Sequence, residues 1–278
     1  MIYLIIATIC FSLSFGLIKA QLVSLPSDFV VFARLFLAML IFLPFFRVKN
    51  FRNLKKHFLA ILIGVIQFGV MYFCFIKAFQ YLQGNEVALL TTTTPIFVAL
   101  WSMFFGERFR FLYIVCILLS VVGAAIIVWQ NLTFDMLVKG ILLMETTNCS
   151  FALGQVLWKK YIGSVDADYM ASAYFGATLF VLPFAILNVD IFQIKLSMAQ
   201  ILSILYLAII PTGIGFWMWN RGSVLVKYST LAVMNNLKIP LGILFSIFIF
   251  QEKISPISFT IGTGIILLAA MILHLKKD

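Results

Sequence analysis

Ten nearly uninterrupted apolar runs divide the whole 278-residue chain, at about 2–20, 27–46, 57–77, 86–105, 109–130, 136–158, 168–188, 199–220, 229–250 and 254–275. A helix rises about 1.5 Å per residue, so each run can cross the ~30 Å hydrocarbon core of a bilayer. Strands of an outer-membrane barrel alternate apolar and polar residues, and these runs do not. A water-soluble fold is excluded as well, because 63% apolar and 11% charged residues leave too little polar surface to cover one. Only short turns remain between the runs, so no soluble domain is left for separate chemistry. The first run has neither a basic segment before it nor a small-residue cleavage site after it, and reads as a retained span. The sequence therefore predicts an all-α polytopic membrane protein with ten transmembrane helices and the lipid bilayer as its main partner.

Charge orients the chain. Its formal +10 is unevenly distributed. With the N-terminus inside, thirteen Lys and Arg fall in the even connections and the C-terminus, and five in the odd ones, while Arg34 and Lys238 lie within spans. This is the positive-inside asymmetry, which predicts a multi-pass cell (inner) membrane protein with both termini cytoplasmic. The basic excess sets orientation and implies no nucleic-acid partner. Cys10, Cys74, Cys116 and Cys149 all fall within spans, where they act as small apolar residues. No disulfide framework or metal-ligand spacing occurs, and no cofactor is expected. A P-loop and an H-E-x-x-H motif are both missing, which excludes ATP hydrolysis by a P-loop and offers no support for an enzyme.

The chain repeats itself. Phe11, Leu13, Leu17, Lys19 and Asp28 return as Phe151, Leu153, Leu157, Lys159 and Asp168, at an offset of 140. Gly69 and Lys77 match Gly213 and Arg221 at 144, and Pro95 and Glu107 match Pro240 and Glu252 at 145. Rare residues agreeing in order indicate a duplication into five-helix halves, 1–134 and 135–278. Five is odd, so the second half enters the membrane from the opposite side. Inverted repeats of this kind build alternating access around a midplane site in secondary transporters.

The order Pro95, Gly106-Glu107-Arg108, Gly123 and its echo Pro240, Glu252-Lys253, Gly262 resembles the EamA-type family of the drug/metabolite transporter superfamily. The Ser-Phe-Gly-Leu-Ile-Lys segment at 14–19 is similar to the family's first helix. The resemblance covers essentially the whole chain. It implies ten helices in two inverted halves, a central cavity lined by helices 1, 3, 4, 6, 8 and 9, and a small-molecule substrate.

Ionisable residues inside spans are costly and usually face a cavity or a partner. Glu145 lies eight residues into helix 6 and Lys238 twelve residues from the outer end of helix 9, at depths of roughly 12 and 18 Å. If those helices are neighbours, as the resemblance implies, the two side chains can meet, either as a structural ion pair or as a substrate or proton-coupling site. Asn148 shares a polar stripe with Glu145, and Asn235 shares one with Lys238. Pro95 and Pro240 remove the helical donor for the carbonyls of Thr91 and Asn236. The hydroxyls of Thr92 and Thr94 and the amides of Asn235 and Asn236 surround these two breaks. Most of the thirty Phe must face lipid or core. Tyr72, Phe15 and Trp217 are the rings assigned to the site.

Other charges read as structural. Arg34, six residues from the outer end of helix 2, can snorkel to the headgroups. Lys77 and Glu86 flank the outer mouth, and Glu107 and Glu252 stand at helix N-termini. Ser120-x-x-x-Ala124 and Ser258-x-x-x-Gly262 offer small-residue seams, within the chain or in a homodimer.

One carboxylate and one ammonium in a cavity suit a zwitterion. The sequence thus predicts a secondary transporter of an amino acid or an amino-acid-containing solute such as S-adenosylmethionine. In that reading Lys238 binds the substrate carboxylate and Glu145 its amino group. The alternatives are proton-coupled export of lipophilic cations or drugs through Glu145, and a non-transporting membrane scaffold.

Overall fold

The computed structural model describes residues 1–46, 53–82, 87, 90–108, 110–128, 137–164, 166–190, 193–241 and 255–275; for Phe15, 127, 128, 137 and 273–275 only the backbone is described. Glu86 and Glu252 lie outside the described residues.

The described residues form ten helical units and no strand. The first half contains α1 (Ile2–Ser12, resuming as Ser14–Leu17 and a π-helical turn Ile18–Leu22), α2 (Ser27–Phe42, tightening into a 3₁₀ turn Leu43–Phe45), α3 (Leu54–Gly64, a π-helical segment Val65–Val70, then Met71–Ala78), α4 (Thr94–Phe104) and α5 (Phe111–Val128). The second contains α6 (Leu137–Leu157 with a π-helical turn Trp158–Ile162), α7 (Ala167–Asn188), α8 (Met198–Leu207, a π-helical segment Ala208–Gly215, then Phe216–Val224), α9 (Tyr228–Met234) and α10 (Pro256–Leu275). Four of these helices are long and apolar enough to cross a membrane: Ser27–Phe45, Leu54–Ala78, Ala167–Asn188 and Met198–Val224. Large apolar side chains such as Phe111, Phe175, Leu179 and Leu187 are exposed on the outside of the bundle, where a soluble protein would place polar groups.

Helix contacts obey an exchange of the two halves. α2 packs on α7, α4 on α9 and α5 on α10, while α3 against α6 is matched by α8 against α1, and α3 against α7 by α8 against α2. The π-helical turns follow the same rule. Adding 140 to Ile18–Leu22 gives Trp158–Ile162, and adding 144 to Val65–Val70 falls within Ala208–Gly215. Such bulges need backbone partners that deviate from the regular ladder, so their recurrence at matching positions is a structural echo of the sequence repeat.

Local chemistry sets the ends of several helices. α2 and α7 carry Asp28 and Asp168 in their first turns, where a carboxylate meets the positive end of the helix dipole. Each acid is also tied to another helix. Asp28 pairs with Lys77 at 3.0 Å and accepts from Asn188 at 2.9 Å. Asp168 lies 4.0 Å from His57, whose Nδ1 is 2.8 Å from Ser172 Oγ. α8 opens with a reciprocal capping box between Ser197 and Gln200.

Glycines set the closest helix approaches. A Cβ on Gly154 of α6 would overlap the Cβ of Gln67 on α3, and one on Gly123 of α5 would come within 2.8 Å of the Gly262 carbonyl oxygen on α10. The small-residue seam read from the sequence therefore joins α5 to α10 of the same chain.

The two prolines act differently from the sequence expectation. Pro95 sits at the start of α4, preceded by a turn at Thr92–Thr93, rather than kinking a continuous helix. A missing N–H is harmless in a first turn, and the Thr91 carbonyl is not left open, because Thr94 Oγ1 donates to it at 2.8 Å. Pro240 likewise follows a turn at 235–237.

Candidate functional site

A cavity of about 70 Å³ lies among the helices of both halves. It is bounded by Phe11 and Ser14 on the α1 side, Arg34 from α2, and Met71, Tyr72 and Phe75 from α3. The other walls are Thr91, then Thr147, Asn148 and Phe151 from α6, Phe216 from α8, and Lys238. This space admits a few water molecules, whereas pockets that hold a drug-sized ligand are several hundred Å³. The space in the described conformation is thus smaller than a drug-sized ligand.

Five rings, Phe11, Tyr72, Phe75, Phe151 and Phe216, line the cavity. Phe11 and Phe216 have centroids 4.7 Å apart, and Phe151 meets Phe216 edge-on at 5.6 Å. Tyr72 also meets Phe216 edge-on, at 5.8 Å. Four of these rings were legible in the repeat: Phe11 and Phe151 are equivalent at an offset of 140, and Tyr72 and Phe216 at 144. The sequence reading used the first pair only as evidence of duplication and passed over the second.

Arg34 differs most from its sequence assignment. It does not snorkel to the surface, for it is only 1% exposed. Its Nη2 donates to Tyr72 Oη at 3.1 Å and to Thr212 Oγ1 at 3.0 Å, while its Cζ lies 4.4 Å from the Tyr72 ring centre. Tyr72 Oη and Thr212 Oγ1 are themselves 3.0 Å apart, and Tyr174 Oη donates to the Thr212 carbonyl. The guanidinium is therefore held by groups from both halves. Its Nε and Nη1 are buried and have no hydrogen-bond partner among the described residues.

Lys238 also lines the cavity. Its Nζ lies 5.6 Å from the Phe151 ring centre and makes no hydrogen bond or ion pair with a described residue. Glu145 and Lys238 do not pair with one another. Glu145 instead lies off the cavity lining, its carboxylate oxygens 2.9 and 3.2 Å from Thr93 Oγ1. Asn148 reaches the cavity wall, but its carboxamide is already occupied. Nδ2 donates to Leu90 O at 2.8 Å and Thr93 Oγ1 at 2.9 Å, and Oδ1 accepts from Thr94 Oγ1 at 3.1 Å.

The remaining sequence candidates lie around this site. Asn235 Nδ2 donates to Leu231 O at 2.9 Å and Gln155 Oε1 at 3.2 Å. Asn236 Nδ2 reaches the carbonyl of Thr92 at 3.4 Å and Ser120 Oγ at 3.3 Å, which ties the two breaks together. Trp217 stands under Arg221, whose Cζ is 5.6 Å from its ring, and does not line the cavity. The Phe15 side chain is outside the described residues. Tyr72, Asn148 and Lys238 are thus brought to one cavity, while Glu145, Thr92, Thr94, Asn235 and Asn236 form the scaffold behind it. Among the described residues, no group of His, Cys, Asp and Glu could hold a metal ion.

What the cavity can do follows from its free groups. Arg34 Nε and Nη1 and Lys238 Nζ are donors with no partner among the described residues, and no described carboxylate lines the wall. Arginine in a protein is always charged. The site therefore suits a solute that brings acceptor atoms and negative charge on an apolar body.

Comparisons with known proteins agree with the fold. The profile of the EamA-like transporter family matches residues 1–129 and again 138–275. A protein of Pseudomonas aeruginosa named "Probable biotin transporter" is 33% identical over 283 residues, covering 99% of this chain and 98% of the relative. The "Biotin transporter" of Salmonella typhimurium is 34% identical over 281 residues, with 99% and 93% covered. A solved crystal structure, 16% identical, superposes over 99% of both chains with a TM-score of 0.78, which supports the fold alone. A profile matched along nearly the whole length, and relatives at this identity over nearly the whole length, place the chain in the EamA-like transporter family of the drug/metabolite superfamily.

Proposed function

We propose that this protein is a secondary transporter of a small, acceptor-rich carboxylate of the biotin type, working by alternating access between inverted halves 1–134 and 135–278. Both termini face the cytoplasm in this reading. The two separate family matches and the exchange symmetry of the helix contacts support the inverted repeat. The observation that carries the substrate class is the central cavity, where Arg34 and Lys238 present donors with no partner among the described residues and no described carboxylate lines the wall. Biotin has a carboxylate at one end of an aliphatic chain and a ureido carbonyl at the other. Two donor groups among Phe11, Phe75, Phe151 and Phe216 suit that arrangement, and relatives at 33–34% identity carry biotin in their names.

This replaces the amino-acid or S-adenosylmethionine substrate read from the sequence. That reading needs a carboxylate in the cavity for the amino group, and Glu145 is engaged with Thr93 instead. Export of lipophilic cations fits less well, because Arg34 and Lys238 would repel the ligand. A pure scaffold gives no reason for buried donors around a cavity.

Counterflow in proteoliposomes without ATP tests the proposal and assumes neither a coupling ion nor a direction. Labelled biotin should accumulate in vesicles preloaded with unlabelled biotin, and pools of amino acids, S-adenosylmethionine or lipophilic cations should not compete. Accumulation confined to the amino-acid or cation pools would overturn it.

A further inference from the structure

Two cations in one cavity raise the question of which acceptor each one takes, and their surroundings differ. Arg34 is a permanent charge with 1% exposure, and no ion pair to a described residue neutralises it. Its Nη2 is fixed by Tyr72 and Thr212, while Nε and Nη1 lack acceptors among the described residues. A buried charge without a partner is strongly unfavourable, and a planar guanidinium held in place is suited to a carboxylate. Lys238 is the more adaptable group. Its ammonium is a point donor on a flexible stem, held only loosely 5.6 Å from the Phe151 ring. A neutral carbonyl is enough to satisfy it.

From this contrast we infer that Arg34 is the carboxylate anchor and Lys238 the donor to the acceptor at the far end of the substrate, the ureido carbonyl of a biotin-type solute. The inference rests on the substrate class proposed above and assigns the two ends within it. Tyr72 and Thr212 are positioning residues that act through Arg34.

The test is competition against labelled biotin counterflow by two analogues. Biotinamide replaces the carboxylate with a neutral amide. Iminobiotin replaces the ureido carbonyl oxygen with nitrogen. In the wild-type protein each should compete about tenfold or more weakly than biotin, the scale of one charge-assisted hydrogen bond. In Arg34→Gln the biotin-to-biotinamide ratio should fall towards one while the biotin-to-iminobiotin ratio is kept. In Lys238→Gln the pattern should reverse. If Arg34→Gln does not fold, Tyr72→Phe, which removes one brace and leaves the charge, should lower the biotinamide ratio alone. Normal biotin counterflow with the two ratios crossed, or unchanged in all variants, overturns the assignment and leaves the substrate class standing. Wild-type vesicles that exchange no biotin overturn both.

Discussion

Two polar clusters border the central cavity and use their hydrogen-bonding groups very differently. Around Asn148 the groups answer one another: Thr93 serves Glu145, Asn148 serves Leu90 and Thr93, and Thr94 serves Asn148. Among the described residues, only one nitrogen of the Arg34 guanidinium is engaged, and the other two have no acceptor. A satisfied network rigidifies the helices that carry it, whereas buried donors left without acceptors are costly. The Asn148 cluster therefore holds the interrupted α4 against α6. The Arg34 cluster, with two guanidinium nitrogens that lack an acceptor among the described residues, is where the proposed substrate would bind. Polarity inside a membrane helix does not by itself mark a binding site; the state of each donor and acceptor does.

The contrast can be broken at the contact between the helices that bear the two clusters. Gly154 of α6 lies against Gln67 of α3 with no room for a Cβ. Gly154→Ala should separate α6 from α3 and abolish recovery of monodisperse protein in fluorescence-detected size exclusion. This is the largest effect expected, because the obstruction is a neighbouring Cβ rather than a flexible side-chain tip.

Stability measurements sharpen the comparison next. Asn148→Ala removes a carboxamide with three partners and should lower unfolding stability in detergent by about 2 kcal/mol, the cost of orphaning buried polar groups. Arg34→Gln removes a buried charge with no ion pair, so substrate-free stability should stay within about 1 kcal/mol of wild type or rise. Added biotin should raise the melting temperature of wild type and of correctly folded Asn148→Ala, and that of Arg34→Gln by less at the same biotin concentration. Equal destabilisation by both substitutions would remove the distinction between the clusters.

The smallest effect is expected at Glu145. Glutamine keeps an acceptor for Thr93 and the shape of the side chain. Biotin counterflow in Glu145→Gln should therefore stay within about twofold of wild type, since no substrate contact is lost. A pH-dependent uptake that disappears in this variant would return Glu145 to a proton-coupling role.

Sequence alone went a long way towards the architecture. The apolar runs predicted a helical membrane protein. Rare residues at offsets of 140 to 145 predicted the duplication, and the π-helical turns and helix contacts repeat in the same register. These features are local, or repeat locally, so periodicity and spacing carry them. The sequence also picked out Tyr72, Asn148 and Lys238, three residues of the cavity wall. Their polar or amphipathic character inside a span was signal enough.

Only the tertiary structure decided which polar groups are spent and which are free. Arg34 looked like a headgroup anchor because its distance from the helix end allowed snorkelling. Its actual partners, Tyr72 and Thr212, are 38 and 178 residues away in sequence. Glu145 looked like the partner of Lys238 because the depths allowed it, yet the turn before Pro95 places Thr93 beside it first. Hydropathy gives the cost of putting a polar group in the membrane. Whether that cost has been met depends on atoms brought together by packing, and that is information no span carries alone.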